Sequence, residues 1–145
     1  MKISTKGRYA IKLMLDLALY SKGQPVKIKE IAKRQGISEK YLEQIVATLN
    51  KAALVKSIRG SHGGYMLSEP PRNYTVGRIL RTMEGNLSPT DCVGANGWPC
   101  ENKATCVSLI IWQELDEAIN GVLEGMTLED LVEWQQNLWT DQYVI

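Results

Sequence analysis

One histidine, His62, is all the sequence holds. With no second histidine and no histidine–carboxylate pattern, the usual catalytic constellations cannot be assembled. There is no Cys-x-x-Cys pair and no phosphate-binding glycine motif, which removes the common signatures of dithiol redox proteins and nucleotide enzymes. No apolar run approaches the roughly 18 residues of a membrane span. Met1 to Lys6 lacks the apolar stretch of a secretory signal, so a cytoplasmic protein that is not an enzyme is expected.

What is present is a divided charge. The chain has 145 residues, 44% hydrophobic and 23% charged, with a net charge of +1. That is enough for one globular domain with an element left over for self-association. Residues 1–60 hold thirteen Lys/Arg against four Asp/Glu, and residues 61–145 hold four against twelve, so the two parts carry about +9 and −8. A basic half that meets a polyanion, joined to an acidic half that meets protein or solvent, suits nucleic-acid binding electrostatically.

Hydrophobic spacing predicts a mainly α fold. Ala10, Leu13, Met14, Leu17 and Ala18 recur at helical intervals behind a cap at Ser4 or Thr5, and Gly23 ends the segment. A short helix is expected from Ile28 to Gln35, then a turn at Gly36, a cap at Ser38 and a helix from Glu39 to Lys51. Leu42, Ile45, Val46 and Leu49 form the inner stripe of that helix, and Lys40, Glu43, Gln44, Ala47 and Lys51 the outer face. Leu54–Arg59 and Tyr65–Leu67 read as strands around the turn Gly60–Gly64. Helix, turn, helix and hairpin make a winged helix-turn-helix.

Past Pro70 and Pro71, Thr75 caps a helix carrying Val76, Ile79, Leu80 and Met83 that ends at Gly85. Residues 86–103 read as a loop, and a loop of that length usually has a function. A long helix is expected from Ala104 to Leu123, with Val107, Ile110, Ile111, Leu115, Ala118, Ile119 and Val122 giving more apolar surface than one core can cover. A second chain would cover it, as in dimers that read two-fold symmetric sites. Thr127 caps a final helix through Trp134. The expected organisation is therefore a DNA-binding domain over 1–85, a cysteine-bearing loop over 86–103, and a dimerisation helix, final helix and tail over 104–145.

The helix after Ser38 offers the side chains that read bases in the major groove. Gln44 suits adenine, Glu43 can accept from the cytosine amine, and Ser38, Lys40 and Tyr41 suit bases or phosphates near the helix start. Arg59, followed by Gly60, stands where an arginine can enter a narrow minor groove. His62 reads as a polar wing residue without chemistry. The three cysteines, Cys92, Cys100 and Cys106, are spaced x7 and x5. Soft thiolates gathered in a glycine-rich loop favour an iron–sulfur cluster or zinc, and a helix start favours the Cys106 thiolate. Three unrelated small hydrophobes remain the bland alternative.

The start MKISTKGRYA, the stretch ISEKYLEQIVATLNKAALVKSIRG and the wing SHGGYMLSEP together resemble the Rrf-type winged-helix regulators. The resemblance covers nearly the whole chain. It implies a cytoplasmic homodimer on a palindromic double-stranded operator, with DNA contacts at Ser38, Tyr41, Glu43, Gln44, Arg59 and Gly60; Lys40 matches less well. It also implies a [2Fe-2S] cluster on Cys92, Cys100 and Cys106, with zinc less favoured. Where cluster-sensing members have a histidine this chain has Leu109, and where nitric-oxide sensors have an aspartate it has Arg8. The fourth ligand is open, with Asp91, Glu101, an exogenous thiol or water as alternatives, and incomplete ligation implies a labile cluster. In the resembling regulators a bound cluster changes which DNA sites are read, and Glu43 is the expected discriminator. Other members of the family repress cysteine metabolism. The tail Asp141-Gln142-Tyr143-Val144-Ile145 is similar to the segment with which serine acetyltransferase docks into cysteine synthase, which makes that enzyme the alternative partner.

Overall fold

The structure is a computed structural model and describes residues 1–95, 97 and 99–143. Its first helix, α1 (Thr5–Tyr20), starts where the Ser4 side chain accepts from the Gly7 N–H, and buries Ala10, Leu13, Met14 and Leu17. Helices α2 (Ile28–Gln35) and α3 (Glu39–Lys51) flank a turn in which Gly36 is left-handed, with φ 65°, and Ser38 caps α3. Both helices have the bounds expected of them. Glycine takes this conformation without the Cβ clash that other residues meet, so the sharp reversal between α2 and α3 falls here.

A buried charge fixes α2 against α1. Asp16 is fully buried, and its carboxylate accepts from Arg34 Nε at 3.0 Å, Arg34 Nη2 at 2.7 Å and Gln35 Nε2 at 2.9 Å. The Arg34 guanidinium also lies 4.1 Å from the centre of the Tyr20 ring. This fork raises the Arg34 pKa above its usual value, chiefly through the hydrogen bonds to Asp16.

Strands β1 (Val55–Ile58) and β2 (Gly64–Leu67) pair antiparallel, with Val55 opposite Leu67 and Ile58 opposite Gly64. Residue Val26 exchanges two backbone bonds with Tyr65, at 2.9 and 2.8 Å, and so pins the hairpin to the segment before α2. Gly64 permits that approach, because a Cβ there would stand 2.5 Å from the Val26 carbonyl oxygen. At the hairpin base Tyr74 is fully buried; its hydroxyl donates to the Leu54 carbonyl at 2.6 Å and accepts from the Glu69 N–H at 2.9 Å. Burial raises the Tyr74 pKa, which keeps the donor proton in place.

A short 3-10 turn (Pro71–Asn73) leads to α4 (Val76–Glu84), capped by Thr75 as expected. Helix α5 runs Ser108–Gly125, not from Ala104. The shift has a local cause: the N–H groups of Lys103 and Thr105 bond to Cys100 and Asn102 carbonyls three residues back, so turns replace the first helical turn. Helix α6 (Leu128–Tyr143) extends well past Trp134, since no glycine or proline stands between Thr127 and its end. Thr127 and Asp130 cap it reciprocally, at 2.9 and 3.2 Å. Leu128 is buried in the same core as α1 and α3, and bonds tie Val76 to Met126 and Leu128 to Tyr74, each at 2.9 Å. None of these helices is long and apolar enough to cross a membrane.

Candidate DNA-binding surface and cysteine pocket

On α3 the structure separates the two faces as the spacing predicts. Leu42, Ile45, Val46 and Leu49 are buried, while Lys40, Glu43, Gln44, Ala47 and Lys51 are exposed. The exposed face carries short and polar groups, which lets a helix enter a major groove and present hydrogen-bonding edges. Ser38 is exposed, and its oxygen accepts from the Tyr41 N–H at 3.2 Å as the cap of α3. Tyr41 is half-buried and packs edge-on against Tyr9, with ring centres 5.7 Å apart. That contact makes Tyr41 a brace of α3 on α1.

Arg59 follows β1 immediately and is exposed, with Gly60 beside it at φ 113°. A side chain at Gly63 would collide with the Ile58 carbonyl oxygen, so the turn that presents Arg59 depends on glycine. His62 is exposed in the same turn. Arg59 and the outer face of α3 thus offer a cationic tip beside a polar helix. Arg8 is exposed on α1 and bonds Thr5 Oγ1 at 3.0 Å.

The cysteine loop is anchored by Leu87 and Val93, both buried. Cys92, Cys100 and Cys106 line one small pocket of about 50 Å³ together with Lys103, Ser108, Leu109 and Trp112. The three are free thiols. Cys106 lies just before α5 with its sulfur 3.1 Å from Ser108 Oγ, and this hydrogen bond, with backbone N–H groups of the helix start, lowers its pKa. Asp91 and Glu101 are exposed and do not line the pocket. Among the described residues no three His, Cys, Asp or Glu side chains are gathered closely enough to hold a metal ion. Three thiols lining one pocket are soft donors of the kind that an iron–sulfur group or zinc takes.

Comparison with known proteins decides the family. The Rrf2 family, iron-dependent transcriptional regulators, matches residues 3–134. The chain belongs to the Rrf2 family. It is 40% identical over 138 residues to the transcriptional regulator IscR of Serratia proteamaculans, which covers 95% of this chain and 83% of that one. Among solved structures, CymR, the global cysteine regulator of B. subtilis, is 41% identical with a TM-score of 0.75, covering 92% of this chain and 98% of that one. IscR of T. potens is 41% identical with a TM-score of 0.72, covering 92% and 87%.

These Rrf2 relatives are transcription regulators and not enzymes, and regulators of the family bind DNA and are dimeric. Most of the apolar stripe expected on the long helix is uncovered in the single chain: Val107, Ile110, Ile111, Leu115 and Val122 are 44–79% exposed, whereas Ile119 packs against the small cluster of Val76, Leu80, Leu87 and Leu123. Two groups of this Rrf2 chain escaped the sequence reading. One is Asp16, whose partner lies 18 residues away. The other is Arg81, which pairs with Glu124 and donates to Asn120 at 2.6 Å, joining α4 to α5. The Arg81 hydrogen bond also holds the Glu124 carboxyl below the usual carboxylate range. An acidic residue on the helix after the cysteine loop was the available signal for the second. In the tail, Asp141 to Tyr143 complete α6, and Val144 and Ile145 lie outside the described residues.

Proposed function

We propose that this Rrf2 chain is a homodimeric transcription regulator that senses iron–sulfur status through a [2Fe-2S] cluster held by Cys92, Cys100 and Cys106. The observation that supports it is the shared pocket of the three cysteines at the start of α5. When bound, the cluster supplies a labile cross-link between the loop and that helix. The chain's own residues do the rest. Leu87 and Val93 hold the loop, Arg81 carries α5 to α4, and α4 packs on α1 and α3. The exposed stripe of α5 pairs with a second copy. In the functional division, residues 1–85 read DNA, 86–103 carry the thiols, and 104–145 hold the dimerisation helix α5 followed by α6, which packs back on the N-terminal core.

On DNA, Gln44 and Glu43 read base edges, Ser38, Lys40 and Tyr41 act near the helix start, and Arg59 with Gly60 enters the adjacent minor groove. Glu43 sets preference by repelling phosphate and rejecting bases that lack a donor. Glu43→Ala should therefore broaden operator choice, lowering discrimination at one base pair about tenfold, in line with roughly 1–3 kcal/mol per mismatch. Selection from a randomised operator pool measures it, and an unchanged consensus refutes the role.

Iron and acid-labile sulfide per chain, measured with the visible spectrum after purification without oxygen, test the cluster. Two of each, lost on replacing any of the three cysteines by alanine, is the expected result. The likeness to a cysteine regulator favours a second reading, repression of cysteine metabolism controlled by a cysteine synthase bound through the tail ending at Ile145. A colourless, iron-free protein that binds DNA would overturn the cluster and favour that reading.

A further inference from the structure

Three thiols leave an iron–sulfur group one donor short, and the pocket limits what can complete the set. Besides the cysteines its lining is Lys103, Ser108, Leu109 and Trp112. Leu109 has no lone pair to offer, the Lys103 ammonium has no acceptor site, and the Trp112 indole nitrogen only donates. Among the described lining residues, Ser108 alone presents a side-chain oxygen.

Its position suits ligation. Ser108 is the first residue of α5 and is exposed, and its Oγ lies 3.1 Å from Cys106 Sγ. Two donors on one tetrahedral metal, with bonds of about 2.3 Å to sulfur and about 2.0 Å to oxygen, stand roughly 3.5 Å apart. The Cys106–Ser108 pair is thus already close to the separation that one iron requires, held there by a hydrogen bond that either atom can donate.

We propose that Ser108 Oγ is the fourth protein ligand, sharing one iron with Cys106 while Cys92 and Cys100 hold the other. This rests on the cluster reading above. On ligation the O–H bond breaks, its proton leaves to water and one bond forms from Oγ to ferric iron, with no electron transferred. The two irons then differ, one bound by sulfur alone and the other by three sulfurs and one oxygen.

Mössbauer spectra of the full chain, grown on ⁵⁷Fe and purified without oxygen, distinguish these environments. The wild type should give two quadrupole doublets of equal intensity. Ser108→Thr should retain both, Ser108→Cys should bring them into near coincidence, and Ser108→Ala should lose iron to a chelator about tenfold faster, in the range seen when support to a metal site is removed. Far-UV circular dichroism checks that each variant is folded, and the threonine and cysteine variants carry the test if the alanine variant is not. A two-iron cluster whose spectrum and retention are the same in wild type and Ser108→Ala overturns Ser108 as the ligand and leaves the cluster reading standing. A wild type without iron or sulfide overturns both.

Discussion

Ile111→Glu should convert the protein to a monomer at concentrations where the wild type is a dimer, and weaken operator binding by about a hundredfold or more. Ile111 lies in the first half of the α5 stripe, more than half exposed in the single chain. In a two-fold interface the same substitution occurs twice, so two carboxylates would replace two apolar contacts of roughly 1.5–3 kcal/mol each. Losing the dimer also loses the effective concentration that delivers a second recognition helix to its half-site, a factor of about 10² to 10⁴. Because Ile111 makes no part of the core, the melting of each chain should be little changed. Sedimentation and fluorescence anisotropy measure the two effects. A dimeric variant with wild-type affinity would mean that α5 is not the interface.

Arg34→Met should cost about 3 kcal/mol of folding stability, the second large effect. Removing one partner of a buried pair leaves an uncompensated charge, and such changes typically cost about 3–5 kcal/mol. Arg34 is itself partly exposed, 30% against 0% for the Asp16 side chain, so the low end applies. The double change Asp16→Leu with Arg34→Met should recover most of the loss, since an apolar pair removes the stranded carboxylate rather than exposing it. Urea unfolding of the three variants gives the comparison. If the double variant is no more stable than Arg34→Met, burial of the Asp16 charge is not the cause.

The parts of the fold legible in the sequence are those with local signals. Helices α2 and α3 have the expected bounds because Gly36 and Ser38 act within their own turn of chain. Helix α5 starts four residues beyond the expected Ala104 because the Asn102–Thr105 turn competes locally with the helix, and propensity does not report that competition. The end of α6 carries no stop signal, so a reading that stopped at Trp134 had nothing to rest on. Asp16 sits in the apolar stripe of α1, and only folding brings Arg34 to it. The candidate site divides the same way. Spacing and residue type identify the three cysteines and the outer face of α3. Their carboxylates make Asp91 and Glu101 candidates by residue type alone, and the chain path places neither in the pocket, while Ser108 lines it at the start of α5.

The stitching of α6 into the N-terminal core, through Leu128, Met126 and Tyr74, leaves little room for a hinge inside one subunit. A change at the cysteine loop cannot then swing a reading head away from its base. If α5 pairs two copies as proposed, such a change would instead tilt one whole subunit against the other about the paired helices and alter the distance between the two α3 helices. Since half-sites repeat at roughly 34 Å along the duplex, the quantity such a tilt would control is a spacing, and the proposed signal would be felt according to the number of base pairs between an operator's halves.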